Sequence, residues 1–137
     1  MARTDRGAMA APRGQQALQR NFEGALDRYG EGRFEAAGAL VKNVLKSIPK
    51  DPGALHLMGA IHLQTGRDRD AVTVLEQAAG IEASNAETHN NLATAYRRQA
   101  RAADAVVSAE RAIAVNPSFA AAHFGLGQAH EDLGDAV

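Results

Sequence analysis

The sequence predicts an all-α fold, a solenoid of stacked helical hairpins, and three observations carry that prediction. First, a step of 34 residues joins residues of one kind: Met58, Leu92 and Leu126; Gly59, Ala93 and Gly127; Ala37, Ala71 and Ala105. Gly32, Gly66, Ala100 and Gly134 keep the same phase, and Pro49 and Pro117 lie two steps apart with Ala83 between them. A fixed period with size-matched residues marks an array in which each unit covers its neighbour. Second, the apolar residues between these markers recur at helical spacing. Third, aromatic residues make up only 4% of the chain and tryptophan is absent, which fits close-packed helices rich in small residues better than a β-sandwich.

The leader comes first. Residues 1–16 are rich in Ala, Gly, Arg and Pro, and Pro12 and Gly14 break helical pattern, so this stretch is expected to be disordered. From Ala17 to Tyr29 the spacing of Leu18, Phe22, Ala25, Leu26 and Tyr29 predicts a helix, ended by Gly30-Glu31-Gly32. Phe34 to Ser47 returns with Ala37, Leu40, Val41, Val44 and Leu45 on one face, and Pro49 stops it.

Asp51-Pro52 then opens a helix to about Gln64: aspartate can cap free N–H groups, and proline suits the first helical position. Gly66-Arg67 turns the chain, and Asp70 to Ile81 runs back with Ala71, Val74, Leu75 and Ala78 inward. Ser84 and Glu87 are spaced as a capping box, or Asn85 is the cap; either way a helix runs from Ala86 to about Gln99. Its partner covers Ala102 to Val115, and a last helix spans about Ala120 to Leu133. The units read as 17–51, 52–85, 86–119 and a truncated 120–137, about three and a half repeats.

Two helices of a dozen residues cannot bury their apolar stripes alone. The next pair supplies the missing face if backbones approach closely. Gly59, Ala93 and Gly127 are expected to give that clearance on the first helix of each pair, and Ala71, Ala105, Ala78 and Ala112 on the second.

Composition narrows the function classes. A chain of 137 residues suits one domain with a real core. The formal net charge of -1, with 23% charged residues, gives no overall pull toward nucleic acid or anionic lipid, so neither is an expected partner. Without cysteine there is no disulfide, thiolate zinc site or thiol nucleophile. No apolar run reaches the ~18 residues of a membrane span. Arg3, Arg6 and Arg13 are followed by no apolar segment of a secretory signal, so a cytoplasmic setting is the default expectation.

The residues at the repeating positions resemble the tetratricopeptide repeat (TPR) pattern W-x₂-L-G-x₂-Y…A-x₃-F…P. The second unit supplies Leu55, Met58, Gly59, His62, Ala71, Leu75 and Ala78. The third supplies His89, Leu92, Ala93, Tyr96, Ala105, Ala109, Ala112 and Pro117, and the fourth His123, Leu126, Gly127 and His130. The first unit follows the pattern in its second helix (Phe34, Ala37, Val41, Pro49) but carries Asn21, Gly24 and Arg28 at signature places of its first.

The resemblance implies a right-handed superhelix whose concave groove, lined by the first helix of each pair, binds a peptide or partner protein. By position it implies His56, Leu57, Ala60, Leu63 and Gln64 as groove residues of the second unit. In the third it implies Asn90, Asn91, Thr94, Arg97 and Arg98, and in the fourth Phe124, Gln128, Glu131 and Asp132. An asparagine at Asn91 offers a donor and an acceptor to a peptide backbone, and Arg97 and Arg98 can grip a carboxylate. For each of these residues taken singly, the alternative is a solvated helix face. Leu57 and Gly125 stand where counterparts of Asn91 would be, so the carboxylate clamp of chaperone-binding TPRs is not reproduced.

Other chemistry finds little support. His89 and His123 share one repeat position, and His62 and His130 share another with Tyr96, which points to packing and not to a metal. Gly125-Leu126-Gly127 lies inside a helix and is no phosphate loop. No serine or histidine sits in a nucleophile elbow. No catalytic residue, cofactor or metal is therefore expected within the chain.

The fourth unit lacks a returning helix, leaving Phe124 and Leu126 without a cover. Either the sequence is the N-terminal piece of a longer protein, or the open end self-associates. The run His89-Asn90-Asn91-Leu92-Ala93 and the segment 52–66 resemble N-terminal TPR arms of bacterial glycosyltransferases and sulfotransferases, which implies a substrate-recruiting arm with its chemistry beyond Val137.

Overall fold

A computed structural model of the chain describes residues 12–134. Among these residues seven helices follow one another: α1 (Arg13–Gly30), α2 (Phe34–Ser47), α3 (Pro52–Gln64), α4 (Asp68–Ile81), α5 (Ala86–Arg98), α6 (Ala102–Val115) and α7 (Ala120–Asp132). They pair as the antiparallel hairpins α1/α2, α3/α4 and α5/α6, with α7 packed on the last pair. The architecture is the helical-hairpin solenoid that the 34-residue period predicts.

Each hairpin turn is built alike. The N–H groups of Arg33, Arg67 and Arg101 each donate to a carbonyl five residues back (Arg28, His62 and Tyr96) at 2.8 Å. That bond needs a left-handed residue just before it, a requirement glycine meets without strain. Gly32 (φ 78°) and Gly66 (φ 76°) meet it, whereas the third turn places Ala100 at φ 59°.

Helix starts follow local chemistry. The Asp51 carboxylate accepts from the Ala54 N–H at 2.8 Å, with Pro52 in the first helical position. Of the two caps open to α5, the structure uses Asn85, whose Oδ1 accepts from the N–H groups of Glu87 and Thr88 at 3.0 and 3.3 Å. At the other end of the chain, α1 begins at Arg13 and not near Ala17. Pro12 precedes the helix as its cap, and Gly14 falls in the first turn, where N–H groups lack partners anyway, so neither residue breaks it. The rest of the expected leader, 1–11, and the final residues 135–137 lie outside the described residues.

Two clusters fill the space between helices. Ala25, Ala37, Val41, Val44, Ala54 and Met58 join the first hairpin to α3; Ala71, Leu75, Leu92, Ala93, Ala105 and Ala109 join α4 to the third hairpin. Gly59 does give clearance, but within its own hairpin and not toward the next pair: a Cβ there would meet Leu75 Cγ and Cδ2 on α4 at 2.4 Å. Gly127 does not: nothing lies within 4 Å of its missing Cβ, since no described helix packs on that side of α7.

Curvature follows from which helices touch. Consecutive first helices (α1, α3, α5, α7) contact one another, while the second helices α2, α4 and α6 have no mutual contact. Helices that converge on one side and splay on the other bend the stack, so the first helices line its inner face. Among the described residues no helix is long and apolar enough to cross a membrane.

Candidate functional site: the inner face

Five of the groove residues expected from the sequence converge. Asn90, Thr94 and Arg97 on α5 face Phe124 and Gln128 on α7 around a concavity of about 210 Å³, closed by Ala93, Ala121 and Gly125. Helical periodicity makes this possible: 90, 94 and 97 fall on one stripe of α5, as 121, 124, 125 and 128 do on α7. Phe124 is 69% exposed, the largest apolar group that the chain presents to solvent there. The Thr94 hydroxyl donates to the Asn90 backbone carbonyl at 3.2 Å, and the Asn90 side chain reaches toward Gly125 on α7.

Arg97 and two other expected residues, Gln64 and Arg98, are bonded within the chain, and by one rule. The Gln64 amide lies 3.5 Å from the Tyr29 hydroxyl; Arg98 Nη1 donates to the Leu63 carbonyl at 2.8 Å; Arg97 Nε donates to the Asp132 carboxylate at 2.7 Å. Each contact spans 35 residues, one more than the period. The last turn of each first helix is thereby stapled to the next first helix along the inner face. Arg97 also donates to Gln128 at 3.1 Å, and Arg98 to Asp68 at 3.2 Å. The carboxylates these arginines grip are the chain's own. The Arg97 guanidinium holds the Asp132 carboxyl below its ordinary pKa. A search for complementary side chains at an offset of 35 would have found the Arg97–Asp132 pair in the sequence.

The second unit contributes less surface than expected. Leu57, Ala60 and Leu63 are buried, because α3 is enclosed by both neighbouring first helices and by its own partner α4. Repeat position alone places these residues on the inner side, but not beyond the reach of α1 and α5. His56 is half-enclosed too: its Nδ1 lies 2.9 Å from the Thr88 hydroxyl and its Nε2 4.0 Å from the Glu87 carboxylate. Burial is the main cause that lowers the His56 pKa, opposed by the charges of Glu87 and Glu82. Asn91 does not line the concavity, and Glu131 is exposed.

His89 and His123, which share one repeat position, also share one structural geometry. Nε2 of His89 lies 2.7 Å from the Ala83 carbonyl, and Nε2 of His123 lies 2.7 Å from the Pro117 carbonyl, so each donates to the loop six residues before it.

The arrangement offers amides, a hydroxyl and one exposed ring on a concave face. Sequence models described as tetratricopeptide repeat match residues 28–94 and 90–137. No curated protein matches the chain in sequence. Among solved structures, a mutant O-GlcNAc transferase of Thermobaculum terrenum superposes with a TM-score of 0.82 at 25% identity, over 88% of this chain and 23% of that one. The chain thus spans under a quarter of that transferase. The first TPR of Spaghetti (RPAP3), bound to an HSP90 peptide, superposes at 0.83 with 14% identity, over 87% of this chain and 94% of that one. The Sgt2 TPR domain of Aspergillus fumigatus does so at 0.80 with 17% identity, over 86% and 80%. At these last two identities the likeness is one of fold.

Proposed function

The chain belongs to the tetratricopeptide repeat family, and on that premise we propose that it is a protein-interaction scaffold whose inner face binds an extended peptide or a segment of a partner protein. The observation that carries this reading is the concavity between α5 and α7, where Asn90, Thr94 and Gln128 surround the exposed Phe124. Amides satisfy the N–H and C=O of an extended chain together, and an exposed ring accepts one apolar side chain. Because Arg97 and Arg98 already hold Asp132 and Asp68, the ligand is recognised through its backbone and an apolar side chain, not through a terminal carboxylate. The test is a selection of displayed random peptides on the wild-type protein, followed by affinity measurements on Phe124→Ala and Asn90→Ala/Gln128→Ala. A class of recovered peptides should bind at least tenfold more weakly to one or both; if every recovered peptide is indifferent to all three substitutions, the reading is overturned.

A second reading is supported by the likeness to the Thermobaculum terrenum transferase. In it the array is the substrate-recruiting arm of a larger glycosyltransferase or sulfotransferase, with the catalytic domain beyond Val137. The reading frame downstream decides: a long α/β continuation supports the arm, and a stop codon after Val137 removes it.

A further inference from the structure

The outer face carries a feature that the first helices do not explain. Between the second helices α4 and α6, floored by α5, lies a cleft of about 550 Å³. Its origin is legible in the register of the repeats. One period earlier, Leu45 and Val74 pack against the first core cluster, and Leu55 is buried. Their counterparts at the second junction are Ala79, Ser108 and His89, all of which line the cleft. Two bulky side chains are thus shortened and a third is replaced by an imidazole, and the space they filled stays open.

The polar groups left inside have bonding capacity to spare. Ser108 is only 3% exposed, and among the described residues its hydroxyl has no hydrogen-bond partner. His89 uses Nε2 on the Ala83 carbonyl, and its Nδ1 is buried without a partner. Buried polar atoms are normally paired, so the unpaired Nδ1 of His89 at this cleft points to something that enters it. The walls are apolar, formed by Leu92, Ala83, Ala114 and Val115. Both signs of charge stand at the rim: the Glu76 carboxylate is occupied by the Tyr96 hydroxyl, while Arg111 has no ion pair among the described residues. Val107, one turn before Arg111, is 45% exposed and extends the apolar surface.

We propose that this cleft is a second docking surface, which takes a large apolar side chain of a partner protein that has an acidic residue beside it. The apolar walls fit the side chain, the Ser108 hydroxyl meets a backbone group next to it, and Arg111 meets the carboxylate. The opening between two splayed helices admits a side chain borne on another chain. It lies on the face opposite the inner concavity, so both can be occupied at once.

The same displayed-peptide selection tests this with different variants. Ala79→Leu/Ser108→Val rebuilds the packing that the first junction already has, and its melting temperature, expected at or above wild type, checks the fold. A class of selected peptides should carry a large apolar residue next to Asp or Glu. Those peptides should bind Ala79→Leu/Ser108→Val at least tenfold more weakly and Arg111→Glu several-fold more weakly, with Asn90→Ala/Gln128→Ala unchanged. If every selected peptide binds the filled cleft as well as wild type, the inference is overturned. Should the filled variant misfold, Arg111→Glu alone decides, and unchanged binding overturns the inference. Peptides sensitive only to the Asn90/Gln128 pair support the inner-face reading and count against this one.

Discussion

Leu75 occupies the space that any side chain on Gly59 would need, with Cγ and Cδ2 only 2.4 Å from the position of a Cβ. Leu75 is fully buried, so the clash is with the root of a fixed side chain and not with a movable tip. Gly59→Ala gains about 1 kcal/mol of helix propensity but meets an overpacking cost of about 1–3 kcal/mol. The overpacking term wins at this distance, and chemical denaturation should show a less stable protein. Gly127→Ala is the control: with nothing within 4 Å, only the propensity gain of about 0.5–1 kcal/mol remains. Equal effects of the two substitutions would show that close approach does not set the residue at this repeat position.

Ala100 holds a left-handed conformation that Gly32, Gly66 and Gly134 hold in the equivalent turns. An L-residue there is strained by about 1–2 kcal/mol, part of which glycine returns through the entropy of the unfolded chain. Ala100→Gly should therefore stabilise the protein by about 0.5–1 kcal/mol. The reverse change, Gly66→Ala, should destabilise it by a similar amount. Urea titration of the two variants checks both signs.

These two cases show what the sequence carries and where it stops. The Phe34–Ser47 and Ala102–Val115 helices are readable to the residue, because apolar spacing and the following Asn or Pro agree with the period. The stripe Asn90, Thr94, Arg97 with Phe124 and Gln128 is readable for the same reason: repeat position fixes which side of a helix faces inward. What position does not fix is how near the next helix comes. Leu57, Ala60 and Leu63 lie on the inward side and are covered all the same. Long side chains escape the reading too, since Arg98 reaches the Leu63 carbonyl, a backbone group that no residue pattern announces. The outer cleft is visible as Ala79 and Ser108 in place of Leu45 and Val74, but only once the structure shows that nothing else fills the gap.

His56 and His62 give the fold a dependence on acid. Both pKa values are lowered, in each case mainly by burial, with carboxylates opposing the shift: Glu87 and Glu82 for His56, Asp70 for His62. A histidine depressed in the folded state binds a proton more readily when unfolded. The stability it contributes is full above the unfolded value of about 6.5 and is lost as pH falls through the folded value. The melting temperature should thus drop between pH 7 and pH 5, and His56→Gln/His62→Gln should flatten that drop. An identical slope in the double variant would place the acid sensitivity elsewhere.

Tyr96 sets the opposite limit, at alkaline pH. Burial and its hydrogen bond to Glu76 push its hydroxyl up to about 12, partly offset by Arg101, whose guanidinium carbon lies 4.5 Å above the ring. A folded-state value raised above the unfolded one contributes stability that is complete below about 10 and is lost as pH rises toward 12. Ionising Tyr96 would remove the donor to Glu76 and place a second negative charge beside that carboxylate. Tyr96→Phe keeps the ring under Arg101 and abolishes the titration. Denaturation at pH 9 and pH 11 should therefore show a smaller alkaline loss in Tyr96→Phe than in wild type. A variant that loses as much between those two pH values would separate the alkaline sensitivity from the Tyr96–Glu76 contact.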